Sequence, residues 1–208
     1  MDVPVKTRQE HRAAESRGAS RQTKTRDRVL SAAGQILRRH GYSRLTMERV
    51  AAESGVAKTT LYRRWPTKAA LCMDLYLDIS ARELNIPDTG DVASDLRHIA
   101  NTVVHLQTRT VAGPAFLGLI AESQLNPDTR AAFLAEFAER RREVTRAVLK
   151  RAIQRREIRA DTDIDLFIDA LGGAVTFRLL QGHAPLTTKF TDALVMLLLS
   201  GCSTKESR

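Results

Sequence analysis

The chain has 208 residues, 43% of them hydrophobic, enough to bury a real core and to join a small module to a larger body. No apolar run approaches the roughly 20 residues of a membrane span, and the opening MDVPVKTRQEHRAAESRGASRQTKTR lacks the apolar centre of a signal peptide, so the expected location is the cytoplasm. Only two cysteines are present, Cys72 and Cys202, which excludes a disulfide framework and leaves no metal-ligand spacing.

The net charge of +9 is unevenly spread: residues 1–68 hold 16 Lys and Arg against 6 Asp and Glu, and residues 69–208 hold 17 against 18. A basic excess confined to one segment is the footprint of nucleic-acid binding, because neutralising phosphates releases condensed counterions. An anionic membrane surface or a disordered tail produces the same distribution.

Residues 1–24 are rich in Arg, Ser and Ala without apolar periodicity, which reads as a disordered basic arm. Val29, Ala32, Ala33, Ile36 and Leu37 then recur at helical spacing, predicting a first helix from about Thr25 to Arg39 that stops at Gly41. Thr46 can cap a short second helix, MERVAAES, with Met47, Val50 and Ala51 inward, and Gly55 ends it. A third short helix, about Ala57 to Arg64, must stop before Pro66, which biases Trp65 away from helical backbone. Helix, tight glycine-containing turn, helix is the helix-turn-helix pattern.

Thr67 can cap a fourth helix, about 68–84, with Leu71, Leu75 and Ile79 as its stripe. Further helices are predicted at about 92–109, 113–124, 128–157, 163–181 and 188–200, separated by turn signals at Gly113 and Pro114, NPD, RADTD and GHAPLT. The fold class is therefore all-α, about nine helices in total. The expected division is an arm at 1–24, a three-helix helix-turn-helix domain at 25–67 and a helical bundle at 68–208.

The block from Arg26 to Leu75 resembles the TetR family of bacterial one-component regulators. Carrying the resemblance are Gly41-Tyr42, Thr46, Val50-Ala51, Ser54-Gly55-Val56, Thr59-Thr60-Leu61-Tyr62, Trp65 and Lys68-Ala69-Ala70-Leu71. DIDLFIDALGGAVTFRLLQGHAPLTTKF is similar to the last two helices of one subgroup. The chain departs from the pattern at Thr59, where many members have Gly, and at Arg63-Arg64-Trp65, in place of an aromatic pair. The resemblance implies a homodimer on an inverted-repeat operator, a small-molecule effector and, more often than activation, repression. The rivals are a non-specific architectural DNA binder and a small-molecule-binding protein on the same fold.

Helical spacing puts Thr59, Thr60 and Arg63 on a shared exposed face of the third helix, with Lys58 at its leading edge and Leu61 pointing inward. Arg63 can bond O6 and N7 of guanine, and either threonine can offer a methyl to thymine. For Arg63 the alternatives are a phosphate contact or a solvated helix end. Tyr62, Arg64 and Lys68 are read as phosphate contacts, the first and last as the family pattern implies, and Thr46 as cap and phosphate donor together. Trp65 reads as packing rather than as a stacking platform. Arg38, Arg39 and Arg44 either reach phosphates or form a solvated face, and Arg17, Arg21, Lys24 and Arg26 can follow a minor groove.

In the C-terminal part, Gly172 and Gly173 sit inside a predicted helix, where close helix approach would offset their poor helix propensity. With Ile168, Leu171, Val175 and Leu179, and with Leu194, Leu197 and Leu198 on the last helix, they suggest a four-helix interface between two subunits. Candidate linings of an internal pocket are His98, His105, Phe116, Leu119, Phe133, Phe137 and Phe177. The aspartates of DTDID lack the glycine and glutamate of a calcium loop and read as helix-start charges. No cofactor, no metal and no enzymatic activity are expected, since neither a phosphate loop, nor a dinucleotide fingerprint, nor a catalytic triad motif is present.

Overall fold

The computed structural model describes residues 6–83 and 87–202, with side chains from residue 22 onward except that of Glu136. Among the described residues there is no strand. The helices are α1 (Lys6–His40), α2 (Met47–Ser54), α3 (Lys58–Arg64), α4 (Lys68–Glu83), α5 (Val92–Arg109), α6 (Ala112–Leu125), α7 (Pro127–Ala132), α8 (Glu139–Gln154), α9 (Ile164–Gln181) and α10 (Thr188–Cys202). They form two compact units, Met1–Leu71 and Cys72–Arg208, so the first turn of α4 belongs to the smaller unit. No described helix is long and apolar enough to cross a membrane.

The small unit is built by the stripe of α1: Val29, Ala33 and Ile36 are fully buried and Leu37 nearly so. Gly41, in the left-handed region at φ 72°, ends the helix and donates its N–H to Leu37 O at 3.0 Å. Thr46 caps α2 by accepting from the N–H of Arg49 at 3.2 Å, and Met47, Val50 and Ala51 turn inward. Gly55, at φ 63°, makes the turn into α3. Here the Arg28 guanidinium donates to the Ser54 carbonyl at 2.5 Å, and a Cβ on Gly55 would lie only 2.9 Å from that guanidinium.

Residues 6–24, expected as a disordered arm, continue α1 instead. Once the Val29 to Leu37 turns are anchored on the core, each added residue gains one backbone bond, and the Ala, Arg, Gln, Glu and Lys of this stretch resist propagation little. Residues 1–5 and the side chains of Arg17 and Arg21 lie outside the described residues.

The larger unit packs α5, α8, α9 and α10 around Leu96, Ile99, Leu149, Phe167, Leu171 and Val195. Asp91 caps α5 by accepting from Ser94 N–H at 2.8 Å, and Asp163 caps α9 by accepting from Leu166 N–H at 3.0 Å. The stretch expected as one helix at 128–157 is α7, a π-helical turn over Phe133–Ala138, and α8. Its C-terminus comes earlier than 157 because Arg156 turns left-handed at φ 62° while Glu157 N–H reaches back to Ala152 O at 2.9 Å, a Schellman closure on a residue other than glycine.

The subunit interface expected from α9 needs correction. Ile168, Leu171 and Val175 are buried within the protomer at 8%, 6% and 4% exposure, because they share the stripe that faces α5 and α8. The opposite face of α9 exposes Leu166, Phe177 and Leu180, and α10 exposes Met196 and Leu197. A Cβ on Gly172 or Gly173 would meet nothing within 4 Å, so neither glycine admits a close neighbour inside the protomer.

Candidate nucleic-acid interface and ligand cavity

Leu61, fully buried, fixes the orientation of α3 in the small unit. With that side chain inward, Lys58, Thr59, Arg63 and Arg64 are exposed and Thr60 is half-buried. Thr46, Arg38, Arg39 and Arg44 are exposed as well. Trp65 is buried at 4% exposure, a packing residue, and the Arg64 guanidinium lies 5.1 Å from its ring centroid. Thr67 caps α4 by accepting from Ala70 N–H at 3.0 Å, and the ammonium of Lys68, half-buried, sits 4.4 Å from the Tyr42 ring.

Glu48 is a participant that the sequence reading missed. The Tyr62 hydroxyl donates to its Oε1 at 2.9 Å. Its own backbone N–H and then this hydroxyl hold the Glu48 carboxyl below the usual carboxylate range, and the same bond raises the Tyr62 phenol. A glutamate in the first turn of α2 is unremarkable as helix-start charge; its contact is with a residue fourteen positions later, which no local pattern announces. The carboxylate occupies the phenol's donor and places a negative charge beside the exposed Tyr62 of α3. Glu48→Gln is therefore expected to tighten binding to operator and random DNA alike by several-fold. A filter-binding titration of both DNAs checks this, and unchanged or weaker binding would sink it.

The larger unit contains a cavity of about 490 Å³, within the range of small-molecule sites. Phe116 and Phe133 line it. Leu119 and Phe137 are fully buried without lining it, as packing residues of its surroundings. His98 and His105 are exposed, because Ile99 and Val103 of α5 take the inward stripe. Phe177 is 60% exposed on the outer face of α9, 5.5 Å from the His183 ring. Among the described residues no group of three His, Cys, Asp or Glu side chains is placed to hold a metal ion.

The polar lining was not anticipated: Arg141, Arg142 and Thr145 from α8, Asp169 and Thr176 from α9. A π-helical turn is a frequent companion of functional sites, and this one carries Phe133 into the lining and ends with Ala138 there.

Comparison with known proteins agrees with this architecture. Residues 29–74 match the family described as bacterial regulatory proteins, tetR family, and residues 86–198 match the tetracyclin repressor-like C-terminal domain. The HTH-type transcriptional regulator YdeS of Bacillus subtilis is 31% identical over 89% of this chain and 93% of its own length. The DNA-binding transcriptional repressor TetR of Mycobacteroides abscessus is 35% identical over 80% of this chain and 87% of its own. Among solved structures, the TetR family transcription regulator SCO0332 is 40% identical, with a TM-score of 0.74, covering 86% of this chain and 98% of that one. A two-domain match, full-length relatives and a helix-turn-helix with its basic face outward together show that the chain belongs to the TetR family and is a DNA-binding transcriptional regulator.

Proposed function

We propose that this regulator is a ligand-responsive repressor, cytoplasmic, which binds an inverted-repeat operator as a homodimer and releases it when a small molecule fills the cavity of the larger unit. The observation that carries the DNA half of the reading is the outward face of α3, Thr59 and Arg63 exposed beside a buried Leu61, in the segment that holds the whole basic excess. Thr59, Thr60 and Arg63 read base edges, while Thr46, Lys58, Tyr62, Arg64 and Lys68 hold phosphates. The apolar faces of α9 and α10, with Leu166, Phe177, Met196 and Leu197 exposed, support dimerisation through these helices. An effector works only through different affinities for the DNA-competent and DNA-incompetent states.

Selection of bound fragments from genomic DNA tests the reading. The fragments are expected to share an inverted repeat with half-sites about one helical turn or slightly more apart. A single unrepeated half-site would refute the dimeric reading, and no shared sequence would favour an architectural binder. Arg63→Ala is expected to lose about 1–3 kcal/mol of discrimination at one base pair of each half-site. Equal weakening on every sequence, with a shallower salt dependence, would assign Arg63 to a phosphate instead.

A further inference from the structure

The two neighbouring arginines at the cavity wall differ in their partners. The Arg142 guanidinium bonds Asp165 at 2.9 Å and also Asp169, so its charge is matched on the protein. Arg141 is half-buried, and among the described residues no carboxylate lies within ion-pair distance of it. Its guanidinium instead lies over aromatic rings, 4.6 Å from the Phe116 centroid, 5.7 Å from Phe137 and 5.8 Å from Tyr76. Cation–π contact holds a guanidinium by its face, which leaves the in-plane N–H donors available to an acceptor.

Those rings are themselves fixed. Tyr76 meets Phe137 edge-on at 4.6 Å, and Phe133 stacks on Phe137 at 5.0 Å. Both phenylalanines belong to the π-helical turn. Thr145 follows Arg141 by four residues on α8, lines the same cavity and is 6% exposed, and its hydroxyl has no hydrogen-bond partner among the described residues. Most of the remaining wall is aliphatic, including Ile99, Val103, Ile120 and Ile168.

A cation without a counter-charge and a hydroxyl without a partner among the described residues, on one helix face in an otherwise largely apolar cavity, specify a ligand of complementary chemistry. We propose that the effector is a small organic carboxylate with an apolar body, its carboxylate bonded by the Arg141 guanidinium and the Thr145 hydroxyl and its body laid against Phe133 and the aliphatic wall. A planar, singly charged carboxylate matches one guanidinium fork. A phosphate dianion would demand further cations, and the nearby Arg142 is already committed to Asp165 and Asp169. This inference rests on the reading of the cavity as an effector site.

The test is calorimetric titration of the full-length protein with 2-naphthoate and decanoate, each beside its neutral counterpart, 2-naphthamide and decanamide. The carboxylates are expected to bind about tenfold more tightly than the amides, as one charge-assisted contact allows. Arg141→Met should erase that preference while amide binding persists, which shows that the cavity is still folded; Arg141→Lys should retain most of it. Equal affinity of acid and amide, a preference that survives Arg141→Met, or binding by none of the four probes would overturn the proposal. Operator binding followed in the same samples separates the two readings. Carboxylates that bind through Arg141 yet leave the operator complex intact would support the site and refute ligand-responsive repression; release by amides as readily as by acids would do the reverse.

Discussion

Leu61→Ala is expected to remove operator recognition by unmaking α3 rather than by touching DNA. The side chain is fully buried in a unit of residues 1–71, and truncating a buried leucine costs about 2–5 kcal/mol through lost burial and the cavity left behind. A unit of that size has a stability of the same order. α3 has only seven residues, too few to stay helical without packing. Without the Leu61 anchor, the exposed Thr59 and Arg63 lose the orientation that base contact requires. The single tryptophan, Trp65, sits at 4% exposure at the end of this helix, so its fluorescence in urea reports the small unit directly. The transition should move to lower urea and operator affinity should fall with it; a wild-type midpoint would show that α3 is held by other contacts.

Gly113→Ala is expected to destabilise the larger unit by about 3 kcal/mol or more, at the upper end of overpacking costs. A Cβ there would stand 2.0 Å from the Gln107 carbonyl oxygen and 2.9 Å from its carbon. The obstacle is backbone, so no rotamer change relieves it, and the turn between α5 and α6 must open. That turn positions Phe116, whose ring lies at the cavity and beneath Arg141, so ligand binding should weaken along with stability. Because Trp65 belongs to the other unit, its fluorescence transition should be little changed, while near-ultraviolet circular dichroism from Tyr76 and the phenylalanines should melt earlier. Coincident wild-type melts in both probes would contradict the steric argument.

Gly113 also shows what a sequence does and does not disclose. Read along the chain, Gly113 and Pro114 are a turn signal, and the turn is there; that they occupy the first turn of α6, with the glycine demanded by a carbonyl six residues earlier, is a matter of approach between two helices. Glu48 is parallel. Its place near the start of α2 is evident from the Thr46 cap, but its bond to Tyr62 depends on how α2 and α3 cross. His98, His105 and Phe177 were reasonable candidates by residue type, and the structure turns all three outward because the aliphatic residues beside them fill the inward stripe.

What the sequence by itself determined is whatever is closed within a few residues. The Thr46, Thr67 and Asp163 starts, the Gly41 and Gly55 turns, the buried stripe from Val29 to Leu37 and the helix-turn-helix spacing are all of this kind, since caps, left-handed turns and helical periodicity involve groups no more than about a turn or two apart. The tertiary structure alone decided which residues face each other. It extended α1 back to Lys6, assigned Ile168, Leu171 and Val175 to the protomer's own core, and gave Arg142 two aspartate partners while giving Arg141 none among the described residues. Burial and charge pairing are properties of neighbours brought together from distant parts of the chain, and two adjacent arginines that are identical in sequence become, one paired and one unpaired, chemically different groups.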